Sequence, residues 1–126
     1  MLKVNKLEKS FDDLHVLKAV NLSIQDQEKV VIMGPSGSGK STLLRCLNLL
    51  EVPTDGEIWF EGTQINSSSS DINAVRKEMG MVFQRFNLFS HLTIMDNLIL
   101  APIKRRNMGK EEAKKKAQVL LSRIGL

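Results

Sequence analysis

The run GPSGSGKST at residues 34–42 is Gly34-Pro35-Ser36-Gly37-Ser38-Gly39-Lys40-Ser41-Thr42. Its first eight residues fit the phosphate-loop pattern G-x-x-x-x-G-K-[ST]. Each part of the pattern has a chemical reason. Glycines let the backbone curl until successive N–H groups converge on phosphate oxygens. A helix that begins where the loop ends aims its positive pole at the same point. Lys40 reaches the β- and γ-phosphates as a point charge, and the Ser41 hydroxyl ligates a Mg²⁺ ion that bridges them. A flexible Gly/Ser linker has a similar composition, but a linker would not sit between apolar elements as this run does.

The flanks supply those elements. Residues 30–33 read Val-Val-Ile-Met, a short apolar run that predicts a strand buried on both faces. After the loop, Leu43, Leu44, Leu47 and Leu50 recur at helical spacing. Upstream, Leu2, Val4 and Leu7, then Val16, Val20, Leu22 and Ile24, predict a strand pair, with Asp12-Asp13 as its turn. Downstream, Pro53-Thr54-Asp55-Gly56 reads as a turn. Residues 57–61 alternate, with Ile58 and Phe60 on one face and Trp59 on the other, so they read as a strand. The serines at 67–70 form a short low-complexity loop, residues 71–78 a short helix, and residues 79–84 another apolar strand. Thr93-Ile94-Met95-Asp96 matches the capping-box pattern, so a helix is expected to begin near Ile94 and to bend or end near Pro102. In the last segment Ala113, Ala117, Leu120, Leu121 and Ile124 share one face, with Lys114, Lys115 and Lys116 largely around the other.

The composition is that of an ordinary globular domain: 126 residues, 42% hydrophobic and 25% charged. No apolar run approaches the ~18 residues that a membrane-spanning helix needs. The first nine residues mix charged and apolar types, unlike a secretory signal. Cys46 is the only cysteine and has no internal disulfide partner, which fits a reducing, intracellular setting. The formal charge of +4 is uneven, because residues 101–126 hold 8 Lys/Arg against 2 Asp/Glu. No aromatics interleave with these cations, so the tail reads as the solvated face of a helix and not as a nucleic-acid surface. Neither Cys46 nor His15 nor His91 falls in a cluster with metal-ligand spacing.

The phosphate loop alone leaves ATPases, GTPases and kinases open. The stretches GPSGSGKST at 34–42, LLRCLNLLEVPTDGEIWFEG at 43–62 and MGMVFQRFNLFSHLTIMDNL at 79–98 together resemble the nucleotide-binding subunit of an ABC transporter. The likeness is greatest to the ATPases of bacterial importers of the polar amino acid uptake type, and it covers nearly the whole chain.

The resemblance implies an α/β fold, a P-loop NTPase of ABC ATPase type in partial form. Such a chain would hold an antiparallel β region, part of the core sheet and the start of the helical subdomain. Residues 1–126 would be the N-terminal portion of one ABC ATPase domain, with the β region and P-loop core at 1–84 and the Q-loop and helical subdomain from 85 to 126. The resemblance further assigns the nucleotide to Phe11 and to Gly34, Pro35, Ser36, Gly37, Ser38, Gly39, Lys40, Ser41 and Thr42, with Gln84 as the Q-loop glutamine. Phe11 would stack on the adenine ring, for which a flat π face suffices; the alternative is that it packs within the β region. Gln84 would join Ser41 at the Mg²⁺ or at the attacking water, a task that suits a neutral amide. Phe86, Asn87, Leu88 and Phe89 would help form the groove that receives a helix of the membrane subunit, unless the two phenylalanines fill a core instead.

ATP and Mg²⁺ are thus the implied ligands. The implied partners are membrane-spanning permease subunits, a second ATP-binding subunit in a homodimer and, indirectly, an extracytoplasmic solute-binding protein, with no nucleic acid. The implied location is the cytoplasmic face of the cell membrane, held peripherally. The family's LSGGQ-type signature, Walker B strand, catalytic glutamate and switch histidine have no counterpart in these 126 residues; Leu121-Ser122-Arg123 is not a signature segment. Lys40 and Gln84 therefore contribute to a catalytic set that is incomplete here, and the chain alone is expected to be inactive as an ATPase. Other readings are a non-catalytic nucleotide-binding module, an ABC importer for another solute and a small P-loop kinase. The Phe11 and Gln84 matches disfavour the kinase.

Overall fold

The computed structural model describes residues 1–85 and 87–126. The chain divides into two compact units, Met1–Gly80 and Met81–Leu126. In the first, strands β1 (Leu2–Phe11) and β2 (Leu14–Ile24) form the expected antiparallel pair, closed by a turn at Asp12-Asp13. Strand β3 (Asp55–Phe60) pairs with the other edge of β1, and the two-residue β4 (Thr63–Gln64) pairs with β3, so the sheet order is β2-β1-β3-β4 and every neighbour is antiparallel.

Leu22, Val4 and Ile58 lie side by side across three strands. Val4 and Ile58 are buried there with Leu7 and Leu17. Helix α1 (Lys40–Leu47) contributes Leu43, Cys46 and Leu47 to the same core, and Ile65 completes it. A buried side chain of this size is worth about 1.5–3 kcal/mol over an exposed one, so this cluster is what joins the helix after the loop to the sheet before it. Beyond β4 the Asn66 side chain extends the ladder on β3: its Oδ1 accepts from the Ile58 N–H at 3.0 Å, and its Nδ2 donates to the Gly56 carbonyl at 2.8 Å. Helix α2 (Ile72–Glu78) starts where expected, with the Asp71 carboxylate accepting from the Asn73 and Ala74 N–H groups. Arg76 on α2 donates to the carbonyls of Asn48 and Leu49, which satisfies backbone acceptors just past the end of α1.

The strands of the sheet are bulged. Lys6 and Leu7 of β1 together oppose Gly56 of β3, and Val16 of β2 is the extra residue opposite the Lys9–Ser10 step. Bulges bend a strand and raise its twist. Gly56 has φ +90°, and a Cβ there would lie 2.4 Å from the Lys6 carbonyl oxygen, so only glycine fits where β3 crosses the bulge.

Two expected strands are not formed. Residues 29–33 and 79–84 carry no strand pairing. Ile32 reaches the core, but Val31, Met33 and Val82 are 78%, 86% and 98% exposed. The physical reason is that a strand is defined by its partners. The apolar composition of these runs suits a central position in a parallel sheet, yet among the described residues no neighbouring strand supplies the ladder. The leucine stripe after the loop also ends early. Leu43 and Leu47 are buried, Leu44 is half exposed, and Leu50 lies beyond the helix end.

The second unit is a helix pair, α3 (Ile94–Arg106) and α4 (Lys110–Arg123). Helix α3 starts as expected with Thr93 as its cap: Thr93 Oγ1 accepts from the Asp96 N–H at 3.0 Å and donates to the Asp96 carboxylate at 2.7 Å. Pro102 sits inside α3, which runs on to Arg106 and closes on Asn107 in the left-handed region, with the Asn107 N–H bonded to the Pro102 carbonyl. Ile99 packs with Ala113 and Ala117 of α4, but Leu120 and Ile124 at the far end of the α4 stripe are exposed. Glu111–Lys114 and Glu112–Lys116 ion pairs flank this stripe, one on each side of α4. Among the described residues no helix is long and apolar enough to cross a membrane.

Candidate nucleotide-binding site

The loop folds as its composition requires. Gly37 has φ +80° and Gly39 has φ +87°, conformations that residues with a Cβ rarely adopt. The Ser38 N–H bonds the Pro35 carbonyl, and Gly39 is the N-cap of α1, its carbonyl accepting from Leu43 at 2.8 Å. The free N–H groups of the first turn of α1 thus follow directly on the loop, where the helix dipole favours an anion. Lys40 bends back over the loop: its Nζ donates to the carbonyls of Gly34 at 2.8 Å and Pro35 at 2.6 Å, and to Ser38 Oγ at 3.4 Å. The ammonium is therefore held by the carbonyls that open the loop. Ser41 is exposed on the first turn of α1, and Thr42 is half-buried beside it.

The β region meets the loop at one point. A Cβ on Gly39 would stand 3.0 Å from Val16 Cγ1 and 3.2 Å from Leu17 Cδ2, so the bulged part of β2 presses directly on the last glycine of the loop. Leu17 pairs with Lys9 and Leu14 with Phe11, which puts Phe11 a few residues along the same hairpin end. Phe11 is 41% exposed and is not packed into the core, and Lys9 Nζ stands 4.6 Å from its ring centroid. Lys9 is fixed in turn by Glu51 Oε1 at 2.7 Å and the Val52 carbonyl at 2.8 Å. This lysine carries no motif, and only its position two residues before Phe11 on one strand face points to it.

Gln84 belongs to the second unit and is exposed at a bend. Phe86 lies outside the described residues. Leu88 and Phe89 are 62% and 53% exposed, and Phe89 meets His91 edge-to-face with ring centroids 6.0 Å apart. Asn97, which the sequence reading passed over, ties this segment to α3: it accepts from the Phe89 N–H and donates to the carbonyls of Phe89, Leu92 and Thr93. Cys46 is fully buried in the first unit, and that burial pushes its thiol above the ordinary value, which fits an inert packing residue.

A glycine loop that opens a helix whose lysine bonds back to the loop defines the P-loop class of nucleotide-binding folds. The comparisons narrow that class. The family model described as ABC transporter matches residues 17–126. The glutamine transport ATP-binding protein GlnQ of Bacillus subtilis is 48% identical over all of this chain and 52% of its own length. The arginine transport ATP-binding protein ArtM of the same organism is 47% identical over the same shares. Among solved structures, the dimeric ATP-binding cassette MJ0796, bound to ADP and Pi in a post-hydrolysis state, superposes with a TM-score of 0.87 at 38% identity, covering 97% of this chain and 56% of that one. The chain belongs to the ABC transporter family and has the fold of its ATPase cassettes, of which it holds a part. It spans about half the length of the curated relatives it matches.

Proposed function

We propose that this chain is the nucleotide-binding part of a bacterial ABC importer ATPase that couples ATP to amino-acid uptake. The observation that carries the reading is the loop itself, with Lys40 Nζ bonded to the carbonyls of Gly34 and Pro35 and α1 opening directly behind it. Relatives named for glutamine and arginine transport support the solute class. In this reading the backbone of residues 36–42 and Lys40 hold the phosphates, and Phe11 takes the base. Ser41 offers a hydroxyl to Mg²⁺, an ion suited to oxygen donors and phosphates. Gln84 keeps the role that the family resemblance gives it. Permease subunits, a second ATP-binding subunit and a peripheral place on the cytoplasmic face of the membrane complete the proposal.

Calorimetric titration with MgATP tests it. Hydrogen bonds to charged groups are worth about 1.5–3 kcal/mol, and each 1.4 kcal/mol is about tenfold in affinity. Lys40→Ala is therefore expected to weaken MgATP by at least about tenfold while the far-ultraviolet circular dichroism is retained. Unchanged affinity would overturn the assignment.

A further inference from the structure

We infer that Lys9 is a positioning residue for Phe11, holding its ring for the nucleotide base. The inference rests on the proposed role of Phe11 and goes beyond it to a second side chain. Lys9 is a poor candidate for a solvated surface charge. Its side chain is only 12% exposed, and its ammonium is anchored by the Glu51 carboxylate and the Val52 carbonyl. Those anchors belong to the segment that follows α1, the helix that begins at the phosphate loop. The same ammonium stands 4.6 Å from the centroid of the Phe11 ring. Across the hairpin, the residue opposite Lys9 is Leu17, which abuts Gly39. Lys9 thus ties the ring by its side chain to the segment after α1, while its strand partner Leu17 abuts the last glycine of the loop.

Two physical effects follow. A cation fixed over an aromatic ring holds it in one orientation, so less freedom is lost when a ligand stacks on it. The cation also draws π density toward its own side, which leaves the far face less negative and better suited to an electron-rich purine. Phe11 is 41% exposed, so surface remains for a base.

The test compares MgATP with magnesium tripolyphosphate, which has the phosphates and no base. Calorimetry is run on the 126-residue chain and on Lys9→Met, Lys9→Arg, Phe11→Ala and the Lys9→Met/Phe11→Ala double variant. A cation–π contact at a partly exposed site corresponds to about a two- to fivefold effect. Lys9→Met is expected to lose about that much affinity for ATP and none for tripolyphosphate. Lys9→Arg should restore ATP binding, and Lys9→Met should add nothing once Phe11 is alanine. Equal losses of ATP and tripolyphosphate in Lys9→Met, or no loss of either, would overturn the inference: Lys9 would then serve only to brace the hairpin. Phe11→Ala separates the two failures. If it fails to distinguish ATP from tripolyphosphate, base stacking on Phe11 falls, and Lys9 with it; if it does distinguish them and Lys9→Met does not, only Lys9 falls.

Discussion

Gly56→Ala should be among the most damaging small substitutions in the first unit. Gly56 faces the two-residue bulge of β1 with φ +90°, and an added Cβ would lie 2.4 Å from the Lys6 carbonyl oxygen and 2.7 Å from Leu7 Cα. Both neighbours are backbone, so no rotamer change relieves the overlap. Placing an L-residue at positive φ costs roughly 1–2 kcal/mol, and forcing a packed element aside adds typically 1–3 kcal/mol. The expected loss is therefore about 2–5 kcal/mol, against a total of only ~5–15 kcal/mol for an ordinary domain. Gly62 provides the control, because it has φ +79° and nothing within 4 Å of an added Cβ. Gly62→Ala should show the conformational part alone, about 1–2 kcal/mol. Urea unfolding followed by the fluorescence of Trp59, the only tryptophan, reads both from within β3. With a slope of about 1–3 kcal/mol per molar urea, the crowding part of about 1–3 kcal/mol should lower the midpoint of Gly56→Ala by about 0.3–3 M more than that of Gly62→Ala. Equal midpoints for the two variants would refute the claim that backbone crowding at the bulge fixes how β3 crosses β1.

Trp59 also reports a titration. Its indole N–H donates to the Glu57 carboxylate at 3.0 Å, and this bond, with a second from Asn5, holds the Glu57 carboxyl below the ordinary glutamate value. A depressed folded-state value means that the contribution is present above the unfolded value and lost as pH falls through the folded one. The fluorescence should therefore change with a midpoint below the usual glutamate range, and Glu57→Gln should remove that change; a transition that survives in Glu57→Gln would count against the contact. A separate expectation follows from exposed apolar surface. Val31, Met33, Val82, Leu120 and Ile124 all stand in solvent, so the 126-residue chain should bind a hydrophobic dye and associate as its concentration rises. A monomer at all concentrations that leaves the dye dark would show these side chains to be covered in solution.

What could be read from the sequence depended on the distance over which each element finds its partners. The phosphate loop, the Asp12-Asp13 turn, the short helix from Asp71 and the Thr93–Asp96 start of α3 are each closed within a few residues, and each was legible. The hairpin strands were legible too, because their partner follows after one turn. Gly56 was read only as a turn residue, since its requirement for glycine comes from Lys6 and Leu7, some fifty positions earlier. The bulge at Val16 left no mark either, for nothing in a strand's alternation shows which residue its neighbour will skip.

The same rule explains the two runs that were read as strands and are not paired. Residues 29–33 and 79–84 have the composition of a central parallel strand, but parallel neighbours are joined by long crossovers and lie far apart in sequence. Composition speaks of the environment that a segment suits, whereas pairing requires that the neighbour be supplied. The phosphate loop does not wait on that neighbour. Its curl is set by Gly37 and Gly39, its far end by the buried face of α1, and its seat by Val16 and Leu17. The geometry of the loop is therefore carried by contacts within Met1–Gly80, and the proposed phosphate recognition should depend on the hairpin and α1 more than on the exposed run at 30–33 that leads into the loop.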